Sequence, residues 1–286
     1  MAECNVCFRH CDIKEGKYGF CRVRTCDSGV IHPVNYGMAT SLALDPIEKK
    51  PFARFRPGTR ILSVGSYGCN LQCPFCQNHE ISWPDNPDAT DEMARFISPE
   101  ELSGLAAYWR KEGNIGVAFT YNEPLVAWEY VRDTARLVKE SGMVNALVTN
   151  GTADSWVLDE IAPYIDAMNI DLKGFSEHYY SDVLKGSLDM TKAFISRAVR
   201  LCHVELTTLI VPGENDSDDE MRRLSKWVAS LTDADGRTSG KDIPLHISRF
   251  FPRFHMTDRK PTPVRTVYRL ADIAREYLSY VYTGNC

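Results

Sequence analysis

Three cysteines, Cys69, Cys73 and Cys76, stand at C-x3-C-x2-C spacing in the stretch Ser66-Tyr67-Gly68-Cys69-Asn70-Leu71-Gln72-Cys73-Pro74-Phe75-Cys76-Gln77-Asn78. Thiolates this close in sequence can converge on one cubane iron–sulfur cluster, [4Fe-4S], whose fourth iron then has no cysteine nearby to ligate it. An iron with an open position can bind substrate. A structural zinc site closes with four ligands from two knuckles, and a two-cluster ferredoxin reads C-x2-C-x2-C-x3-C; neither fits. Three ordinary buried thiols within eight residues would invite oxidation with no return. The rival of another class is a non-catalytic iron–sulfur electron carrier or metal-binding scaffold.

A second group of thiols opens the chain as Cys4-x2-Cys7-x3-Cys11, followed by Cys21 and Cys26. This amino-terminal module, residues 1–45, has few apolar runs and cannot bury much surface alone, so a metal or docking onto the rest must hold it. Tetrahedral zinc on Cys4, Cys7, Cys11 and Cys21 is the preferred account, with a second iron–sulfur cluster as its rival. His10 or Cys26 could replace one ligand in either version.

The remainder, 46–286, must position the central triad. The apolar, β-branched run Ile61-Leu62-Ser63-Val64 reads as a buried strand that ends at the cysteines. After a turn-rich segment at 83–88, short apolar strands alternate with amphipathic helices, the signal for a parallel sheet of βα units. The strands are expected at 116–120, 145–148, 167–170, 204–209 and 245–247, with a terminal one at 280–282. The helices are expected at 99–111, capped by Ser98 with Glu101 three residues on, then from 125 to before Gly142, and at 156–161, 177–184, 191–201, 220–231 and 264–278. Residues 232–241 read as a loop. Chemistry in such folds gathers at the carboxyl ends of strands. Polar clusters fall there: the cysteines, Tyr121-Asn122-Glu123-Pro124, Thr149-Asn150-Gly151 and Asp171-Leu172-Lys173. His246 alternates with Leu245 and Ile247 and faces opposite to them.

With aromatic Phe75 just before its last cysteine, the triad resembles the signature of the radical S-adenosylmethionine (SAM) superfamily. Gln77-Asn78, the stretch Asp45-Pro46-Ile47-Glu48-Lys49-Lys50-Pro51, and Phe55, Pro57 and Gly58 are similar to the branch called the AmmeMemoRadiSam system radical SAM enzyme. That branch is related to the enzymes that activate pyruvate formate-lyase. The resemblance implies an α/β fold, a partial (β/α)6 TIM-like barrel with the small cysteine-rich module in front. It implies an oxidoreductase whose cluster chelates the methionine end of SAM and cleaves it reductively to methionine and a 5′-deoxyadenosyl radical. The radical would take hydrogen from a protein partner or a small molecule, with an electron donor such as flavodoxin or ferredoxin.

Roles follow from the same resemblance. Glu123 stands where a glycine-glycine-glutamate element usually ends strand two and would accept from the SAM ammonium; Tyr121-Asn122 replaces the glycines, and Asn122 joins the Asn-Glu-Pro element of this branch. Asp171 and Lys173, matching an Asp-Leu-Lys element, are assigned to the ribose hydroxyls and the carboxylate, with a surface salt bridge as the alternative. Asn150 is assigned to the methionine end, or else merely makes a turn. Phe75 would lie against adenine, and His246 would reach SAM or substrate or be a structural histidine. Arg249-Phe250-Phe251-Pro252-Arg253 is a candidate partner surface at the rim.

Composition narrows the rest. A formal charge of −5 over 286 residues gives no general attraction to phosphate backbones, so no nucleic-acid partner is expected. No run approaches the ~18 apolar residues of a membrane span, and no basic segment followed by an apolar one reads as a secretory signal. Ten cysteines in ligand-like spacing fit a reducing compartment, so the expected location is cytoplasmic.

Overall fold

An eight-stranded sheet carries the architecture of the computed structural model, which describes residues 1–83, 94–237 and 239–286. Strand β1 (Ser41–Pro46) lies antiparallel beside β2 (Arg60–Gly65). From β2 onward every strand is parallel to its predecessor: β3 (Asn114–Phe119), β4 (Val144–Thr149), β5 (Ala167–Asp171), β6 (His203–Ile210), β7 (Leu245–Arg249) and β8 (Val281–Gly284). Parallel neighbours need crossovers, and six helices supply them. These are α1 (Pro99–Tyr108), α2 (Trp128–Glu140), α3 (Ser155–Ile161), α4 (Leu188–Ala198), α5 (Asp218–Ala229) and α6 (Val264–Arg275). Six βα units followed by β8 make the partial barrel expected from the sequence. It is open, with β1 and β8 as its two edges.

The local reasons are visible in the residues. Strands β2 to β5 are almost continuously buried, which is why they read as unbroken apolar runs rather than alternating ones. Each fully buried Leu or Ile there contributes about 1.5–3 kcal/mol. The Ser98 side chain accepts from the Glu101 amide and starts α1 as expected; Ser187 and Ser217 cap α4 and α5 in the same way. Helix α1 is shorter than its periodicity, because the chain tightens into a 3-10 turn at Trp109–Glu112 before left-handed Gly113. The expected helix at 177–184 is one wide turn, Tyr179–Val183. Of the turn expected at 83–88 only Trp83 lies among the described residues.

Strand β1 was not legible in the sequence, and it runs across position 45, hydrogen-bonded to β2 along its whole length. Beyond it the chain crosses under the sheet as a floor. The Asn169 side chain on β5 donates to the Pro51 carbonyl at 2.8 Å. The buried Glu205 carboxylate on β6 accepts from the amides of Ala53, Arg54 and Phe55 at 2.9, 2.8 and 3.1 Å. The segment around Asp45 and Pro51 that carried part of the family resemblance is thus the piece that ties β1 to β5 and β6.

Ahead of the sheet, residues 1–33 of the amino-terminal segment form two short hairpins, Ala2–Glu3 with Asp12–Ile13 and Arg24–Asp27 with Val30–Pro33. This segment docks against the triad loop and the ends of β3 and β4. Arg24 bonds both carboxylate oxygens of Glu129 at 3.0 and 2.8 Å, Arg9 Nε donates to the Asn70 carbonyl at 2.8 Å, and the Asp154 amide donates to Val6. Gly68, at φ +87°, leaves room for Val23: a Cβ there would meet Val23 Cγ2 at 2.1 Å. Gly68→Ala is therefore expected to lower stability by about 1–3 kcal/mol and to loosen this module. Chemical denaturation and proteolysis near the amino terminus would check it; unchanged midpoints would contradict the packing.

Candidate active site

The carboxyl ends of β2 to β5 open onto one cavity of about 390 Å3, within the size range of small-molecule and cofactor sites. Cys69, Cys73 and Cys76 line it together with Asn122, Glu123, Asn150, Asp171 and Lys173. Elements far apart in sequence are brought there because each follows the end of a parallel strand.

The triad loop is held from several sides. The Asn122 side chain donates to the carbonyls of Tyr67 and Gly68 at 2.9 and 3.1 Å and accepts from the Ser66 amide at 3.0 Å. The side chain of Asn78 donates to the Tyr121 carbonyl at 2.7 Å. Cys69 Sγ receives the Leu71 amide at 3.4 Å and Asn150 Nδ2 at 3.7 Å. Burial pushes the Cys73 thiol up to about 12, and the Cys69 thiol well above its usual range. Lone thiolates are disfavoured in such a place, and a cationic metal core is what would draw the protons off. The donor set fits a [4Fe-4S] cluster: among the described residues three cysteines, and no fourth, line this cavity.

Glu123 is 2 % exposed. Oε1 accepts from Thr149 Oγ1 at 2.8 Å and the Leu125 amide at 3.0 Å; Oε2 accepts from the Asn150 amide at 2.7 Å. Burial outweighs these donors and raises the carboxyl to about 7. Asp171 and Lys173 sit two apart on extended backbone and form an ion pair of 2.8 Å. Burial works against the Lys173 ammonium, but the Asp171 carboxylate and the Cys73 sulfur overcome it and raise its pKa. The pair is a salt bridge, but one that lines the cavity and not the open surface of the stated alternative.

Tyr121 has φ +75°, a backbone conformation that favours glycine. A tyrosine thus holds a backbone conformation more usual for glycine. Its hydroxyl bonds Asp45 Oδ2 at 2.9 Å and Lys50 Nζ at 3.1 Å, while Gly65, where a Cβ would meet the ring at 2.7 Å, leaves space for it. Those contacts offset a strain on the order of 1–3 kcal/mol. Asp45 and Lys50 form a buried pair at 2.9 Å, and Lys49 and Lys50 line the cavity. Asp45 and Lys50 stand in the Asp-to-Pro stretch noted in the sequence, but their partner Tyr121 is 71 residues from Lys50, so the cluster was not legible there.

Other expected residues are placed differently. The Asn150 side chain lines the cavity and is engaged by Asn70 Oδ1 at 2.8 Å, Cys69 and Thr152, so it also braces the triad loop. The Phe75 ring packs edge-on against Phe250, 6.1 Å between centroids, and is not among the lining side chains. His246 is the second residue of β7, near its amino end. Its Nε2 lies 2.6 Å from Glu205 Oε2 and its ring stacks on Tyr282, which is the structural role held open for it. Glu205 itself was missed; a lone acid inside the apolar run Val204–Leu206 was the available signal.

In the amino-terminal module Cys4, Cys7, Cys11 and Cys21 line one small cavity with Arg9, Arg24 and Asn70. Neither proposed substitute joins them: His10 Nδ1 lies 3.2 Å from Glu3, and Cys26 Sγ faces Glu15 at 3.7 Å. No helix among the described residues is long and apolar enough to cross a membrane.

Comparison with known proteins agrees with this geometry. Residues 63–225, the span from β2 into α5, match the model of the radical SAM superfamily. An uncharacterized protein of Methanocaldococcus jannaschii is 39% identical over 285 residues, covering 99% of this chain and 80% of its own. The pyruvate formate-lyase 1-activating enzyme of Escherichia coli is 26% identical over 184 residues, 61% of this chain and 70% of that one. Among solved structures, Streptococcus suis SuiB bound to S-adenosylmethionine superposes with a TM-score of 0.59 at 13% identity, over 79% of this chain and 52% of SuiB, a likeness of fold. A cysteine triad at the end of the first parallel strand, a matching family model over more than half the chain and the same fold converge: the chain belongs to the radical SAM superfamily.

Proposed function

We propose that this chain is a radical SAM enzyme of the activating-enzyme type, with Cys69, Cys73 and Cys76 as the cluster ligands and Glu123, Asp171 and Lys173 as the SAM-binding side chains. The observation that carries the reading is that all six line the same cavity from the ends of β2, β3 and β5. Membership of the superfamily implies a [4Fe-4S] cluster and SAM. When bound and reduced, the cluster supplies the single electron that splits SAM into methionine and a 5′-deoxyadenosyl radical. The protein's part is orientation, charge and exclusion of water.

Glu123 offers its carboxylate to the SAM ammonium, with Thr149 and the Leu125 and Asn150 amides fixing its orientation. Lys173 faces the carboxylate end, and Asp171 holds that ammonium while leaving one oxygen for ribose hydroxyls. Tyr121, Asp45 and Lys50 form a rigid base beneath them. The open edge between β1 and β8 suits a substrate carried by a larger partner, and the exposed ring of Phe251 on the loop after β7 offers an apolar contact for one. A low-potential donor such as flavodoxin or ferredoxin is the proposed electron source. A pure electron carrier would leave this cavity and its buried carboxylate without use.

Glu123→Gln tests the assignment with little change of shape. The variant should take up the same iron and weaken SAM binding about 10- to 100-fold, the worth of a hydrogen bond to a charged group. Wild-type affinity should also fall about tenfold for each pH unit below about 7, because the protonated carboxyl cannot pair with an ammonium. The variant should lose this pH dependence. Calorimetric binding from pH 5.5 to 8.5 measures both; equal affinity and an equal profile would contradict the role.

A further inference from the structure

The cavity formed by Cys4, Cys7, Cys11 and Cys21 measures about 10 Å3, room for roughly one water-sized sphere. Sulfurs of a tetrahedral zinc site close to about 2.3 Å around the ion and leave no such void. A cubane core is larger than an ion and needs one. Among the described residues no three His, Cys, Asp or Glu side chains are gathered as a single ion requires, and the Cys69 triad shares that wider spread.

A second observation points to an anionic occupant. Arg24 is 5 % exposed, with Nη1 and Nη2 engaged by Glu129 and Val126. Its Nε is a buried donor with no partner at full hydrogen-bond geometry among the described residues, and the side chain lies beside the Cys4 sulfur on the wall of this cavity. Buried donors are nearly always satisfied, so this one, set against cysteine sulfur, calls for an anionic sulfur acceptor in the cavity. The sulfurs of an anionic cluster are acceptors of that kind. Position supplies a third. Asn70 lines this cavity and directly follows Cys69, and the Arg9 guanidinium lies within electrostatic reach of Cys7, Cys11, Cys21 and Cys69 together.

We propose that Cys4, Cys7, Cys11 and Cys21 hold a second [4Fe-4S] cluster, fully ligated by cysteine, placed next to Cys69 as the point of electron entry. One electron from a low-potential one-electron donor lowers its core charge from 2+ to 1+. The electron then passes inward past Asn70 and the core returns to 2+; no bond is made or broken and no proton moves. The preference for zinc drawn from spacing gives way because spacing alone does not report the size of the void.

The role as neighbour rests on the reading of the triad as the first cluster, and the experiment separates the two. The full chain is reconstituted anaerobically, and iron, sulfide and zinc are counted alongside electron paramagnetic resonance after dithionite. Wild type should hold about eight iron per chain and no zinc. Both Cys7→Ser/Cys21→Ser and Cys73→Ala should hold about four, and SAM should perturb the signal of the former only. In fully reduced wild type the two signals should broaden each other, and the broadening should vanish in either variant. About four iron with one zinc in wild type overturns the proposal, as does a Cys73→Ala chain without iron. A wild-type spectrum that is a plain sum of two signals overturns the electron-entry role. A Cys73→Ala chain that keeps all the wild-type iron instead refutes the triad reading and leaves the amino-terminal cluster standing. If the double variant does not fold, the wild-type count and Cys73→Ala still decide.

Discussion

Cys73→Ala is expected to abolish SAM cleavage and to remove the SAM-responsive cluster, a loss of about four iron per chain. Cys73 is buried at the inner wall of the cavity, and its sulfur faces Lys173 and Asp171. The two remaining cysteines cannot hold a cubane with one corner open. The substitution removes few atoms from the core, so the fold should survive, with far-ultraviolet dichroism unchanged. Iron analysis and the spectrum after reconstitution measure the effect; a variant that still gives a SAM-responsive signal would show that other residues ligate the cluster.

Glu205→Ala is expected to be the most destabilising single change outside the cysteines. The carboxylate is fully buried and accepts from three backbone amides of the floor, with His203 and His246 at 3.0 and 2.6 Å. Deleting one partner of a buried charged network costs about 3–5 kcal/mol, a fall of roughly 10 °C in melting temperature for a chain of this size. Burial by itself would raise the carboxyl, but the hydrogen bonds from His203, His246 and the floor amides prevail and hold it at about 2. The folded pKa lies below the unfolded one, so this contribution is complete above about pH 4.5 and is lost as pH falls toward 2. Glu205→Gln keeps the shape and should flatten the stability profile across that window. Denaturant titrations from pH 2 to 7 would measure it, and parallel wild-type and Gln curves would contradict the assignment.

These expectations show where sequence and structure part company. The βα alternation was legible because strands buried on both faces leave unbroken apolar runs, and Ser98 marked its helix through a local hydrogen bond. The cysteines and the acids of the Glu123 and Asp171 elements were legible because parallel strands deliver chemistry at one end. Strand β1 was not, since an edge of six residues carries little periodicity. His246 and Asn150 were read by residue type, whereas their partners, Glu205 and Asn70, are 41 and 80 residues away in sequence. Phe75 follows the same logic: its ring is claimed by Phe250, which no local pattern announces.

Anaerobically reconstituted protein, given dithionite and SAM, should release 5′-deoxyadenosine and methionine in equal amounts, with no release from Cys73→Ala. Protein that remains colourless, or that binds iron and sulfide yet leaves SAM intact under those conditions, would contradict the proposed function.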